Sequence, residues 1–365
     1  MSLELVGLIS GKTRPDVRWT PGTTQLDPID PDFVVRFARA HEEGDFDAVL
    51  IGYGSTATDG FSVGAWAAAH TDKLRYLIAH RPGFVSPTVE ARKVIALDNF
   101  SKGRIHLNIV TGGNDEDLQR DGDFLTKDDR YRRTDEYLDV LKLALTSAQP
   151  FDYAGQFYRV NGGFSDEKPY QQPYPAIYFG GASGPAIETG AKHADTYMMW
   201  GEPLADVKQR ITEFHAVAAK YGRKPKISVS FRPIIASTEA KAWERAYGIL
   251  DRILATRKAA GLGEPAWPQN TGSQRLLQAA ADGDIRDKRL FTGIARANGA
   301  AGNSTALVGT PDQVAEAILE YYDIGVETVL IRGFDPLPDA IEYGRDLVPA
   351  VRAEVKKRER ELAIA

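Results

Sequence analysis

"AIYFGGASGPAIETG", residues 176–190, joins a short apolar run to the start of a helical pattern through two glycines and a serine. Ala176 to Phe179 reads as a buried strand, and Pro185 stands where a first helical turn tolerates proline. At such a junction the free N–H groups and positive dipole end of the helix favour an anion, above all a phosphate. Gly180 and Gly181 let a ligand approach the backbone, and Ser183 can cap the helix while donating its hydroxyl. A tight turn with an ordinary cap is the other reading of the same residues.

Working outward, the strand-to-helix pattern recurs along the chain. Upstream lie LELVGLI (3–9), FDAVLIG (46–52), RYLIAHR (75–81) and IHLNIVT (105–111). AIYFGG (176–181) is the fifth run, and DTYMMW (195–200), KISVSFRPIIA (226–236) and ETVLIRGF (327–334) follow it. Most are nearly continuous apolar runs, as parallel strands covered on both faces require. Helix signals fill the gaps. Asp30–Pro31 caps a segment with Val34, Phe37, Ala38 and His41 on one face, Ser86–Pro87 opens another, and Thr310 with Gln313 has capping-box spacing. Eight such units predict an α/β fold, a (β/α)8 TIM barrel forming a single domain over residues 1–365, with an open doubly wound sheet as the alternative. Two insertions interrupt it. Residues 148–174 read as a hairpin before strand five; residues 256–304, without a clear period, read as a mobile lid before strand eight.

Composition narrows the function. A hydrophobic share of 43% over 365 residues supports a packed core, and a formal charge of −5 argues against a nucleic-acid partner. Cysteine is absent, which excludes disulfides, thiolate catalysis and cysteine-ligated metals. No signal-like or membrane-length apolar run is present, so a cytoplasmic protein without membrane association is expected. "GYGSTA" (52–57) has the form of a dinucleotide fingerprint, yet it follows the second strand and opens no helix at once, and the next strand ends in His80–Arg81 instead of a ribose-binding carboxylate. The six histidines show no H-x-x-x-H spacing, and no G-x-S-x-G elbow occurs, so neither a metal site nor a serine triad is expected.

In a barrel of this kind the polar residues at the C-terminal strand ends line the active site. They are His80 and Arg81 on strand three, Asn108 and Thr111 on four, and Gly180 to Ser183 on five. Trp200 and Glu202 belong to strand six, Ser230 and Arg232 to seven, and Arg332 to eight. His80 also reads as a core histidine, and Trp200 as packing. Two arginines within apolar runs suggest an anionic substrate, because an unpaired buried guanidinium is costly.

These residues stand within longer stretches: "HRPGFVSPTVEARKVIALDNFSKGRIHLNIVTGGNDEDL", "DDRYRRTDEYLDVLK", "QQPYPAIYFGGAS" and "WGEP". Together they resemble the bacterial luciferase-like flavin monooxygenase superfamily, and within it the alkanesulfonate monooxygenase family most closely. The resemblance runs from the first strand to the last helix. It implies a two-component monooxygenase that uses reduced FMN (FMNH2) with O2 as co-substrate and cleaves the C–S bond of an organosulfonate to release sulfite. An NAD(P)H-dependent flavin reductase would supply the FMNH2, and a homodimer or homotetramer is expected. By the same resemblance Gly181, Ala182, Ser183 and Tyr131 would hold the FMN phosphate, and Asn108 and Thr111 would lie beside the ring. His80, Trp200, Arg232 and Arg332 are then the catalytic candidates. Members of the superfamily often carry a non-proline cis peptide at the end of strand three, expected here at or next to Ala79–His80.

The departures concern the substrate side. Where the alkanesulfonate enzymes have a cysteine after strand two, this chain has Ala57; Ser230 and Arg232 stand where they have arginine and histidine. Phe334 replaces a tyrosine, and Asn298 a lid arginine, with Arg296 close by. A polar sulfonate or sulfosugar therefore suits the chain better than a simple alkanesulfonate. A deazaflavin-dependent oxidoreductase of the same superfamily and a non-catalytic flavin-binding subunit are the competing readings.

Overall fold

A computed structural model describes residues 3–11 and 28–364. Eight parallel strands close a barrel in sequential order: β1 (Glu4–Ile9), β2 (Ala48–Ile51), β3 (Arg75–His80), β4 (Ile105–Ile109), β5 (Ile177–Gly180), β6 (Thr196–Trp200), β7 (Lys226–Phe231) and β8 (Thr328–Ile331). The register closes with Glu4 opposite Thr328 on one side of β1 and Val6 opposite Ala48 on the other. The expected strands are all present, trimmed by one to three residues at most ends. The open sheet is excluded because β1 pairs with both β2 and β8.

Alternation along each strand divides the core in two. Val6, Ala48, Leu50, Met198 and Leu330 pack together inside the barrel. Their neighbours Leu5, Ile9, Val49 and Ile51 join the much larger cluster between strands and helices. The helices begin where their caps predict. Asp30 accepts from the Phe33 amide, and Thr310 and Gln313 form a complete capping box. The N-terminal mouth is closed by polar groups that satisfy one another. Glu4 accepts from the Tyr178 hydroxyl at 3.1 Å and from Thr328 at 3.2 Å, and it pairs with Arg75.

Three expectations need correction. The run 226–236 is not one strand. Pro233 cannot donate to a ladder, so β7 ends at Phe231, and Ile234–Ile235 joins a separate sheet with Ala306–Gly309, Leu290–Phe291 and Ile285–Arg286. Secondly, residues 256–304 are largely structured. They hold the end of helix Glu239–Ala259, a helix at Thr271–Ala281, the strands of that sheet at 285–286 and 290–291, and a short helix at Gly293–Ala297. Thirdly, the Ala79–His80 peptide is trans; among the described residues the cis bond is Gln172–Pro173. The other insertion is the expected hairpin, Phe151–Ala154 against Arg159–Gly163. No described helix is long and apolar enough to cross a membrane.

Candidate active site

A cavity of about 1480 Å³ opens at the C-terminal mouth of the barrel. That exceeds the usual range for one small ligand, roughly 300–1,000 Å³. It is lined by strand-end residues from every barrel strand: Arg81, Asn108, Thr111, Gly180 to Ser183, Trp200, Glu202, Ser230, Arg232 and Arg332 among them, with Tyr131 from helix Lys127–Thr146.

The end of β5 is built for an anion. Ser183 occupies the N-cap of helix Gly184–His193 but makes no side-chain cap bond. Its hydroxyl oxygen is buried and bonds no backbone group, and it faces the Tyr131 hydroxyl. Gly181 has φ +151°, and a β-carbon there would stand 2.6 Å from Ala186 Cβ and 3.3 Å from the Tyr131 hydroxyl, so the turn needs glycine. Tyr197 fixes the turn from behind by donating to the Gly181 carbonyl. Burial pushes the Tyr131 phenol above its ordinary value, which keeps it protonated as a donor. A helix start without an acidic residue in its first turn, a buried hydroxyl that caps no backbone amide and a protonated phenol together fit a phosphate. On the neighbouring β4, Asn108 is buried, and Thr111 donates to Thr134 at 3.2 Å.

A luciferase-like monooxygenase family model matches residues 12–328. The chain belongs to the luciferase-like monooxygenase family. It is an oxidoreductase. Among solved structures it is similar to a riboflavin lyase bound to modified FMN and riboflavin, with 21% identity over 97% of this chain and 92% of that one and a TM-score of 0.80. It is also similar to the EDTA monooxygenase of Chelativorans sp., with 19% identity, 97% and 94% coverage and a TM-score of 0.76. A long-chain alkane monooxygenase gives 19% identity, 98% and 92% coverage and 0.77. A coenzyme F420-dependent reductase from Methanopyrus kandleri shares the fold as well. At these identities the likenesses establish the fold alone.

Within this luciferase-like barrel, His80 does not reach the cavity. It is buried on the outer face of β3, where Nε2 meets the Tyr137 hydroxyl at 2.7 Å and Nδ1 lies 3.1 Å from Glu90. The reading of His80 as a catalytic residue is therefore corrected to a core histidine, and its neighbour Arg81 takes the cavity position. Trp200 does line the cavity, packed under Gly272, where a β-carbon would stand 3.0 Å from the indole ring. Glu202 is buried with its carboxylate occupied by Arg210 and, bidentately, by Arg275 of helix Thr271–Ala281. It ties that helix to the barrel and has little capacity left for a ligand.

Arg232 is 1% exposed. Nε donates to the Asn303 carbonyl at 2.7 Å, Nη1 donates to the Gly333 carbonyl at 2.6 Å, and the guanidinium lies 5.0 Å from the centre of the Phe334 ring. It thus brings positive charge to the mouth while holding two loop ends together. Arg332 is half-buried and directly follows β8, next to the end of β7. Of the departures from the alkanesulfonate pattern, Ala57, Ser230, Arg232 and Phe334 all line the cavity. Arg296 does not replace the missing lid arginine, because it is an exposed partner of Asp284 at 2.6 Å. Asn298 is buried behind the lining with no partner for its amide. The helix at Thr271–Ala281 escaped the sequence reading, although Asn270 as N-cap with Leu276, Ala279 and Ala280 on one face was a usable signal.

Proposed function

We propose that the protein is a two-component monooxygenase that uses reduced FMN and dioxygen to cleave the C–S bond of an organosulfonate, with a polar sulfonate or sulfosugar favoured. The observation that carries this reading is the buried hydroxyl of Ser183, which caps no backbone amide, at a helix start beside Tyr131, in a cavity with arginines at the ends of β7 and β8. Ser183, Tyr131 and the amides after Gly181 would hold the phosphate, and Asn108 and Thr111 would flank the ring. Bound reduced FMN supplies two electrons and the activation of dioxygen. One oxygen atom ends on the carbon as a carbonyl and the other leaves as water, while sulfite departs with the C–S bonding pair and a proton is released.

Arg232 and Arg332 set a positive potential for the sulfonate at the ends of β7 and β8. The rim near β3 and β4 carries charges of both signs that pair with one another, Arg81 with Asp117, Arg120 with Glu116 and Arg130 with Asp115. Residues 268–273 and 299–303 overhang the mouth and exclude water while the reaction proceeds. An NAD(P)H-dependent flavin reductase supplies the reduced flavin.

The test is a panel of hydroxylated and simple sulfonates with enzymatically supplied reduced FMN, scored by sulfite release and oxygen uptake. Sulfite release with oxygen uptake is expected. Hydride transfer with a deazaflavin and no oxygen uptake would replace this reading, as would FMN binding without turnover of any sulfonate. Arg332→Met should raise the apparent Kd for substrate by one to two decades, since a bond to a charged group is worth roughly 1.5–3 kcal/mol, and leave FMN affinity unchanged.

A further inference from the structure

Arg81 ends β3 with its side chain 4% exposed, and it lines the cavity. Nη2 donates to Asp117 Oδ2 at 2.7 Å, Nη1 lies 3.9 Å from Asp121 Oδ2, and the guanidinium sits 4.3 Å from the centre of the Tyr53 ring. Asp117 is itself held by the amide and hydroxyl of Ser55, at 3.1 and 2.6 Å. The guanidinium is thereby clamped on one edge and one face. Nε and Nη1 are buried and make no hydrogen bond. Two unspent donors on a buried cation cost free energy until an acceptor reaches them.

The place of Arg81 on the rim says which acceptor. The anion seat ends β5, Asn108 and Thr111 end β4, and Arg81 ends β3, so the three follow one another around the barrel. Neighbouring strands are about 4.8 Å apart, which puts β3 roughly 10 Å from β5. A ligand held by its phosphate at β5 and laid past β4 brings its far edge to Arg81. A free anion suits that position less well than a neutral acceptor, because Asp117 already neutralises the guanidinium and Asp121 lies 3.9 Å from Nη1. A ring carbonyl does suit it: neutral when the flavin is oxidised, and sharing the negative charge of N1 and C2=O when it is reduced.

We propose that Arg81, through one of its two unspent donors, hydrogen-bonds the C2=O edge of the flavin and sets the preference of the protein for the reduced over the oxidised cofactor. This rests on the FMN reading above and adds to it a residue that the motifs did not single out as a flavin ligand. Asp117, Ser55 and Tyr53 are then positioning residues, since they act on the flavin by holding Arg81.

The experiment measures Kd for oxidised FMN and, anaerobically, for reduced FMN, on the full-length chain, together with the midpoint potential of the bound flavin. Arg81→Met should lower the preference for reduced FMN at least tenfold, which is a fall of about 30 mV for a two-electron couple. Arg81→Lys keeps the charge without the planar guanidinium and should fall between. Asp117→Asn removes a neighbouring negative charge and should move the potential upward. That opposite sign is what a merely structural disturbance would not produce. A preference within twofold of wild type in Arg81→Met, or shifts of the same sign in both Arg81→Met and Asp117→Asn, overturns the proposal. If Arg81→Met does not fold, Arg81→Lys and Asp117→Asn decide it by the same signs. Wild-type protein that binds no FMN overturns the parent reading and this one together, whereas normal FMN binding with an unchanged preference overturns this one alone.

Discussion

The two ends of the barrel differ in how they treat most buried polar groups, although His106 at the N-terminal end also has no partner for either ring nitrogen. At the N-terminal end Glu4, Arg75, Tyr178 and Thr328 consume one another's hydrogen bonds. At the C-terminal end Arg81 Nε and Nη1 and the side-chain amide of Asn303 are buried without partners, and Ser183 Oγ caps no backbone amide. Unsatisfied buried groups cost roughly 1–3 kcal/mol each, so a fold retains them only where something else repays the cost. The closed end stabilises the barrel, and the open end holds donors ready for a ligand.

The sharpest test of this contrast is acid. Burial pushes the His41 imidazole down to about 4, and burial together with the nearby Arg75 guanidinium does the same to His106 at the closed end. Both folded values lie below the unfolded value of 6.5, so the unfolded chain takes up the protons first. The stability from these groups is complete above pH 6.5 and is lost as pH falls towards 4, by up to roughly 3 kcal/mol for each histidine. Denaturant midpoints between pH 7 and 4.5 should fall accordingly, and His106→Leu should remove part of the slope. A flat profile would mean that the closed end does not bury a neutral histidine.

Next in size is Glu4→Leu. It strands Arg75, Tyr178 and Thr328, and should cost about 3 kcal/mol, the low end for a broken buried pair because Arg75 is a third exposed. FMN affinity should be unchanged. Loss of FMN binding in that variant, while it remains folded, would break the division between the two ends.

Ser183→Ala reverses the pattern. Its hydroxyl caps nothing, so thermal stability should hold within about 0.5 kcal/mol. FMN affinity should fall by roughly 1.5–3 kcal/mol, read by fluorescence titration. Thr310→Ala is the matched control and the smallest effect. Its hydroxyl does cap its helix, so about 1 kcal/mol of stability should be lost with FMN affinity intact. If the two caps behave alike, Ser183 is an ordinary cap and the anion seat is wrong.

Much of this was legible before the structure. Strands buried on both faces must be apolar throughout, which made all eight visible as runs, and caps such as Asp30 and Thr310 act within one turn of chain. The small sheet was not legible. It pairs two-residue strands at 234–235, 285–286 and 290–291 with 306–309, and no local pattern marks partners so far apart. Arg232 was read as a substrate clamp from its apolar surroundings. Its bonds to Asn303 and Gly333 lie 71 and 101 residues away in sequence, and only folding brings those carbonyls to it.

By itself the sequence determined the alternation of strands and helices, the barrel, and the strand–turn–helix seat at 176–190, because each depends on side-chain period and cap chemistry within a few residues. The tertiary structure alone decided which of two adjacent residues, His80 or Arg81, faces the cavity. Side chains alternate along a strand, so that choice depends on how the strand end is set against its neighbours. It also decided which buried donors remain unspent, because a donor is satisfied or not only by acceptors that other parts of the chain bring within about 3 Å.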